Sequence, residues 1–541
     1  MKIAISYPPI VNQEGQKAMV SQNRNVQFFK KPTYLLPVIH AQAATWLRDL
    51  GYDVLWDDGN SQEKNFDDWY KDLIAWEPDV VVLESTTPVM KFYWSLVDRI
   101  KSHLPKSIIV MTGYHSMRKP EETLLESSTD VVLKSNHIDF VLRKLIPYID
   151  EHENWRSTCS IEGLTIRRDE KEFYDTGNFR QIEALDLSPD VDRSLVNWKN
   201  YAYENGNFLQ TPGTYATSVI RDCMFGKCTF CRYNGPDLTF SMRSVNKSLD
   251  EYQRLIEENG AKEIFDDSGV WYRGAEARAF ARGIIDRGLH KKDCYFGFNT
   301  RFGYLDEETV SLLSRANFRF VLVGLEACDQ ETLDRLDKGY SVEDVEKTLR
   351  LFLKYRLYPH LTIMVGYYWQ TRQQLEKTIS TVRQFMFSGL ARTLQVTLCT
   401  PLDFTPYHKE CIDKKVLQTK NYNDFDMSCL IVNTPIPHDE YYNAIKKIYR
   451  LAFHPLFILR QLSFLLSLKK SDWQFIFTYG VRAIRRVNQH IFNLTENHST
   501  REEYVKSENH APYTHDPLYR ETPQQLTSKK NGILKRESIN R

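Results

Sequence analysis

Three cysteines, Cys223, Cys228 and Cys231, fall within nine residues of the loop Arg221-Asp222-Cys223-Met224-Phe225-Gly226-Lys227-Cys228-Thr229-Phe230-Cys231, just after the apolar run Ala216 to Ile220. Thiols this close bind a metal or a cluster, because thiolates ligate iron and zinc. Three from one short loop can hold three corners of a cubane [4Fe–4S] and leave the fourth iron open to a small molecule, which implies chemistry rather than electron storage. A structural zinc site calls for a fourth Cys or His nearby, yet no His lies between Cys231 and His290, and the next Cys is Cys294. The C-x4-C-x2-C spacing also matches plant-type ferredoxins, but those are small domains and this loop sits in mid-chain. Three structural cysteines meeting in a reduced core is the remaining alternative.

Composition narrows the setting. At 541 residues the length implies three or four domains. Lys plus Arg (71) nearly equals Asp plus Glu (70), so no overall field favours nucleic acid or an anionic membrane. The other six cysteines, Cys159, Cys294, Cys328, Cys399, Cys411 and Cys429, are scattered and form no disulfide framework, which fits a reducing cytosol. The N-terminal Met1 to Pro9 has too short an apolar run for a signal peptide and reads as a first buried strand.

Residues 1–150 alternate short apolar strands with helical patterns, the signature of a doubly wound parallel sheet. The strands are Lys2–Ser6, Asp53–Trp56, Val80–Glu84, Ile108–Thr112 and Asp130–Leu133, with helices that include Pro37–Leu50 and Phe92–Ser102. Ligands of such sheets bind beyond the carboxyl ends of the strands, which here carry Tyr7-Pro8-Pro9, Ser85-Thr86-Thr87 and Thr112-Gly113-Tyr114-His115. Residues 151–212 read as a connector with a hairpin-like Gly163 to Arg168. From 213 to 406 strand and helix repeat: strands Ala216–Ile220, Glu263–Asp267, Tyr295–Asn299, Phe320–Leu325, His360–Val365 and Thr393–Thr400 make a partial TIM-type (β/α)6 barrel, whose site belongs at the strands' C-terminal ends. Residues 407–496 read as helical. The tail 497–541 is polar, lacks periodicity and reads as disordered.

The cysteine loop resembles that of the cobalamin (B12)-binding radical S-adenosylmethionine (SAM) family, whose usual signature is C-x3-C-x2-C with an aromatic residue before the last Cys. Phe230 holds that aromatic place. The first gap here has one residue more, and Gly226-Lys227-Cys228 resembles the loops of one subgroup. The likeness extends over roughly residues 1–465. It implies a Rossmann-like cobalamin-binding domain ahead of a radical SAM barrel, with Cys223, Cys228 and Cys231 on a [4Fe–4S] cluster.

Further roles follow from that resemblance. Asp266-Asp267-Ser268-Gly269 stands for the family's Gly-Gly-Glu motif, with Asp267 on the SAM amino group. Asn299 and Arg301 would hold the SAM ribose and carboxylate, and Glu326 of Gly324-Leu325-Glu326 would lie near the adenosyl group. Ser85, Thr86, Gly113 and His115 would border cobalamin. The base-off motif D-x-H-x-x-G is absent, so no protein His is expected on cobalt. Cys399-Thr400-Pro401-Leu402-Asp403 replaces a P-x-P-G-T turn, in a loop expected to face substrate.

The implied activity is reductive SAM cleavage and, with cobalamin, methyl transfer to an unactivated carbon of a natural product or lipid-like substrate. The alternatives are a cyclase or rearrangement enzyme without methyl transfer, and a non-catalytic cobalamin or redox sensor. The electron donor would be a flavodoxin or ferredoxin. The run Leu451 to Leu468 is strongly apolar but contains His, Pro, Arg and Gln, which argues against a spanning helix. It is expected to cap the barrel or to make peripheral membrane contact, so the protein is read as cytoplasmic with membrane association left open.

Overall fold

A computed structural model describes residues 1–467, apart from 13, 21–24, 171, 181–182, 204–207 and 236–237, together with 473 and 477. The tail expected from 497 onward lies outside the described residues.

The first sheet has seven strands. Its parallel part comprises β1 (Lys2–Tyr7), β4 (Asp53–Asp58), β5 (Val80–Glu84), β6 (Ile108–Thr112) and β7 (Val131–Leu133); a small separate hairpin, β2 (Lys17–Val20) and β3 (Val26–Phe29), follows β1. The strand order is β4-β1-β5-β6-β7, continued by two antiparallel strands, β8 (Leu164–Arg167) and β9 (Phe173–Asp175). The segment read as a connector thus extends the sheet. Alternation along each strand feeds two cores. Ile3, Ile5, Val80 and Val82 pack with helices Val38–Asp49 and Ile138–Glu151, while Ala4, Val81 and Leu83 pack with Phe66–Trp76 and Met90–His103. Burial on both faces is why these strands read as nearly unbroken apolar runs.

The second sheet is a six-stranded, all-parallel half-barrel in the order β10 (Gly213–Tyr215), β13 (Glu263–Asp266), β14 (Tyr295–Thr300), β15 (Phe318–Glu326), β16 (Tyr358–Val365) and β17 (Thr393–Leu398). Its first strand is not Ala216–Ile220 but the three residues before it. Beyond Ala216, whose amide still donates to Phe265 O (3.0 Å), three amides of the expected strand are taken by side chains instead. Thr217 N donates to Glu251 Oε1 (3.0 Å), Val219 N to Asp266 Oδ2 (3.1 Å) and Ile220 N to Ser268 Oγ (3.0 Å). The run then forms a two-residue ribbon, β11 (Ile220–Arg221) with β12 (Ser241–Met242).

Beyond the barrel lie helices Pro406–Asp413, His438–Arg450 and Pro455–Ser467. The last packs beside the N-terminal end of β17: Arg392 Nη1 donates to Gln461 Oε1 at 2.8 Å, and the His454 ring lies tilted 4.7 Å from that of Phe387. It does not cap the mouth of the barrel, where the cysteine loop lies. Among the described residues no helix is long and apolar enough to cross a membrane.

Candidate functional site

The cysteine loop is held from both domains. Asp222 takes a left-handed φ of 58°, unusual for a side chain with a Cβ, and its carboxylate accepts from Asn136 Nδ2 (2.7 Å) and Thr239 N (2.8 Å). Gly226 makes the second reversal at φ 57°, which glycine adopts at no steric cost. Thr229 N donates to Leu336 O (3.0 Å), Tyr407 N to Thr229 O (2.9 Å), and Cys231 N to Cys228 O (3.1 Å).

All three cysteines are free thiols and partly exposed. Desolvation pushes the Cys231 thiol up to about 12, with the neighbouring Cys228 adding to the rise. Thiols crowded together and partly desolvated become thiolates together most readily when a cation balances their charge, so this donor set suits an iron cluster. Among the described residues no three His, Cys, Asp or Glu side chains converge on a single metal ion. The ligands of a four-iron cube stand farther apart than those of one ion.

Beside this loop the strand ends bring four of the expected residues together. Asn299 Nδ2 donates to Asp267 Oδ1 (3.2 Å) and to Ser268 O (2.9 Å), while its Oδ1 is buried without a hydrogen-bond partner. The Arg301 guanidinium lies 3.6 Å from the Phe225 ring centroid and 4.6 Å from that of Tyr304, with Nη2 buried and unpartnered. Phe225 belongs to the cysteine loop itself, so Arg301 is stacked on it. Glu326 bulges out of β15 at φ 59° and pairs with Lys338 Nζ at 3.1 Å, which in turn sits 5.6 Å from the Phe230 and Tyr340 rings. Burial works against the Lys338 ammonium, but Tyr340, Glu326 and Cys228 together raise its pKa.

Asp266, by contrast, is structural. It is fully buried, accepts from Ser268 N (2.9 Å) as well as Val219 N, and is pushed up to about 6 by desolvation. Phe225, Tyr304, Lys338 and Tyr340 were not singled out from the sequence. No motif marks them; only their convergence on Arg301 and Glu326 does.

At the carboxyl end of β6, in the middle of the first sheet, Gly113 has φ 98°, and a Cβ there would stand 2.1 Å from Ser85 O. The close approach seats Ser85 Oγ against Ser116 Oγ at 2.9 Å. Thr86 lines a cavity of about 40 Å³ shared with Tyr7, Tyr34, Asp58, Glu84 and Tyr93. Its hydroxyl is buried without a partner. Ser85, Gly113 and His115 do not line that cavity. His115 is fully buried, with Nδ1 3.3 Å from Thr87 Oγ1, Nε2 3.7 Å from Glu122, and its ring 4.7 Å from that of Tyr422. Burial would raise the Glu122 carboxyl, but bonds from His115, Lys119 and Tyr422 pull it down to about 2. This polar seam joins the first domain to the segment after the barrel.

Residues 217–382 match the Radical SAM superfamily. The anaerobic magnesium-protoporphyrin IX monomethyl ester cyclase of Cereibacter sphaeroides is 26% identical over 354 residues, 64% of this chain and 55% of that protein. The alignment thus spans a little over half of the cyclase's own length. Hopanoid C-3 methylase of Methylococcus capsulatus is 22% identical over 425 residues, 75% of this chain and 74% of its own. Among solved structures, the radical SAM methyltransferase TsrM of Kitasatospora setae, with cobalamin and a [4Fe–4S] cluster bound, superposes with a TM-score of 0.61 at 14% identity, covering 90% of this chain and 99% of that one. The chain thus carries a radical SAM domain over residues 217–382. Its fold is that of the cobalamin-binding radical SAM enzymes.

Proposed function

We propose that the protein is a cobalamin-dependent radical SAM methyltransferase acting on an unactivated carbon of a small-molecule or lipid-like substrate. One observation carries the reading: beside the cysteine loop, a buried acceptor (Asn299 Oδ1) and a buried donor (Arg301 Nη2) have no protein partner. An amino-acid head group supplies the complement of both, since its ammonium donates and its carboxylate accepts. Unmet polar groups in a buried site cost free energy until a ligand meets them.

Asp267 and Asn299 then take the ammonium of SAM, and Arg301, fixed over Phe225, takes the carboxylate through its planar fork. Glu326, held by Lys338, sits on the adenosyl side. Cys223, Cys228 and Cys231 hold the cluster, and Thr86, Ser85 and Gly113 border cobalamin. When bound, the cluster supplies the electron that cleaves SAM to a 5′-deoxyadenosyl radical, and cobalamin supplies the methyl group. A flavodoxin or ferredoxin is the source of that electron. The test is anaerobic turnover with methyl-deuterated SAM. Label in the product together with 5′-deoxyadenosine supports methyl transfer.

The similarity to a cyclase supports a second reading, ring formation or rearrangement without methyl transfer. In that case 5′-deoxyadenosine forms and no deuterium reaches the product. Peripheral membrane contact belongs to the same proposal and is carried by the helix Pro455–Ser467.

A further inference from the structure

The first eight residues of the helix Pro455–Ser467 turn most of their apolar side chains outward. Over residues 455–462 only Phe457 is buried, whereas Leu456 (57%), Ile458 (45%), Leu459 (61%) and Leu462 (51%) are exposed, as is Phe453 (44%) just before it. Surface leucines scattered singly need no explanation, but a run of them on one short helix marks an interaction face.

Charge says what covers it. The whole chain is nearly neutral, yet the thirty residues from Tyr441 to Lys470 contain no Asp or Glu and six basic residues, Lys446, Lys447, Arg450, Arg460, Lys469 and Lys470. Of these, Lys447, Arg450 and Arg460 are exposed. Aliphatic side chains flanked by cations of one sign suit the boundary between headgroups and acyl chains of an anionic bilayer, where the apolar face is buried and the cations meet lipid phosphate. The helix also lies beside the N-terminal end of β17, against Arg392 and Phe387. Docking there leaves the mouth of the barrel, with its cysteine loop, facing away from the membrane and open to substrate and electron donor.

We infer that this helix and its basic flank dock the protein on an anionic lipid surface. The inference rests on the peripheral contact proposed above and not on the reaction, so it stands or fails independently of methyl transfer. Full-length, anaerobically reconstituted protein is floated through a density gradient with vesicles of phosphatidylcholine alone or containing phosphatidylglycerol. Several-fold more protein should rise with the anionic vesicles, and salt should reduce the difference because exposed charges are screened. The triple variant L456Q/L459Q/L462Q, which alters only exposed positions, should lose about tenfold of the flotation while forming 5′-deoxyadenosine at the parent rate. Equal flotation of variant and parent overturns the proposal, as does a parent that stays at the bottom of the gradient with both vesicles. A parent that is dimeric in solution and becomes monomeric in the triple variant assigns the face to a second copy instead, and equally overturns it.

Discussion

Arg221 and Asp139 form a bidentate ion pair with both side chains buried, Arg221 Nη2 donating to Asp139 Oδ2 at 2.7 Å, and so bolt the residue two before Cys223 to the first domain. Gln42 Oε1 (2.9 Å) and Ser188 Oγ (3.3 Å) also accept from Nη2. The cluster loop therefore does not belong to the barrel alone. Its entry is fixed by helix Ile138–Glu151 and by the segment after β9.

Breaking that pair should cost the protein heavily. Removing one partner leaves a buried charge uncompensated, about 3–5 kcal/mol. Asp139→Asn and Arg221→Met should each lower resistance to urea, and both should lower iron content because the loop loses its anchor. Burial would raise the Asp139 carboxyl, but Arg221 holds it below its ordinary value. Its stabilising contribution is present above the unfolded carboxylate pKa and is lost as pH falls through the lower folded value. A D139N protein as stable as the parent would show the pair to be dispensable.

His137 should make stability pH-dependent in a higher window. Burial, with Arg221 nearby, lowers its pKa to about 4, and its Nε2 lies 2.9 Å from Thr239 O. The unfolded chain thus binds more protons than the folded one between about 6.5 and 4, so stability is lost as pH falls through that range, by roughly 3 kcal/mol in all. The urea midpoint of the parent should fall more steeply than that of His137→Gln as pH drops from about 6.5 to 4. Parallel curves would rule His137 out as the source.

For the cluster, anaerobically reconstituted protein should hold about four irons per chain and absorb broadly near about 400 nm. Replacing Cys223, Cys228 and Cys231 together with Ala should abolish both signals. Full iron in that variant would remove these cysteines from the site.

The SAM pocket should separate from the cluster. Asn299→Ala and Arg301→Met should each weaken SAM binding roughly 10- to 100-fold, the range expected for lost hydrogen bonds to charged groups, while iron content stays at the parent level. Arg301→Lys should recover little, because an ammonium cannot reproduce a fork stacked on Phe225. Iron lost in step with SAM binding would make these residues structural.

Gly113→Ala probes the carboxyl end of β6 in the first sheet. The added Cβ meets the Ser85 carbonyl oxygen at 2.1 Å in a left-handed conformation, so it should destabilise the domain by at least about 1 kcal/mol. It should also weaken cobalamin binding, read by absorbance titration. Unchanged binding would move the cobalamin site away from this turn.

Much of the architecture was legible in the chain. Five of the six barrel strands and all five parallel strands of the first sheet lie where apolar runs predicted them, because strands buried on both faces must be apolar along their length. The cysteine spacing likewise marked the loop proposed to hold the cluster, since thiols carried on one short loop are local. Ala216–Ile220 misled because its composition is that of a strand, while Glu251, Asp266 and Ser268, distant in sequence, took three of its amides. Of the adjacent Asp266 and Asp267, only the fold decides which is buried under Val219 and which faces Asn299. Lys338, Tyr340 and Phe225 join the candidate site through contacts that span more than a hundred positions in the longest case, which no local pattern records. The apolar run 451–468 was visible as a run, but whether it closed the core or stood exposed depended on what surface remained to pack against it. Periodicity and thiol spacing are local properties and were set by the sequence; which polar atoms end up buried without a partner is a property of the packed structure alone.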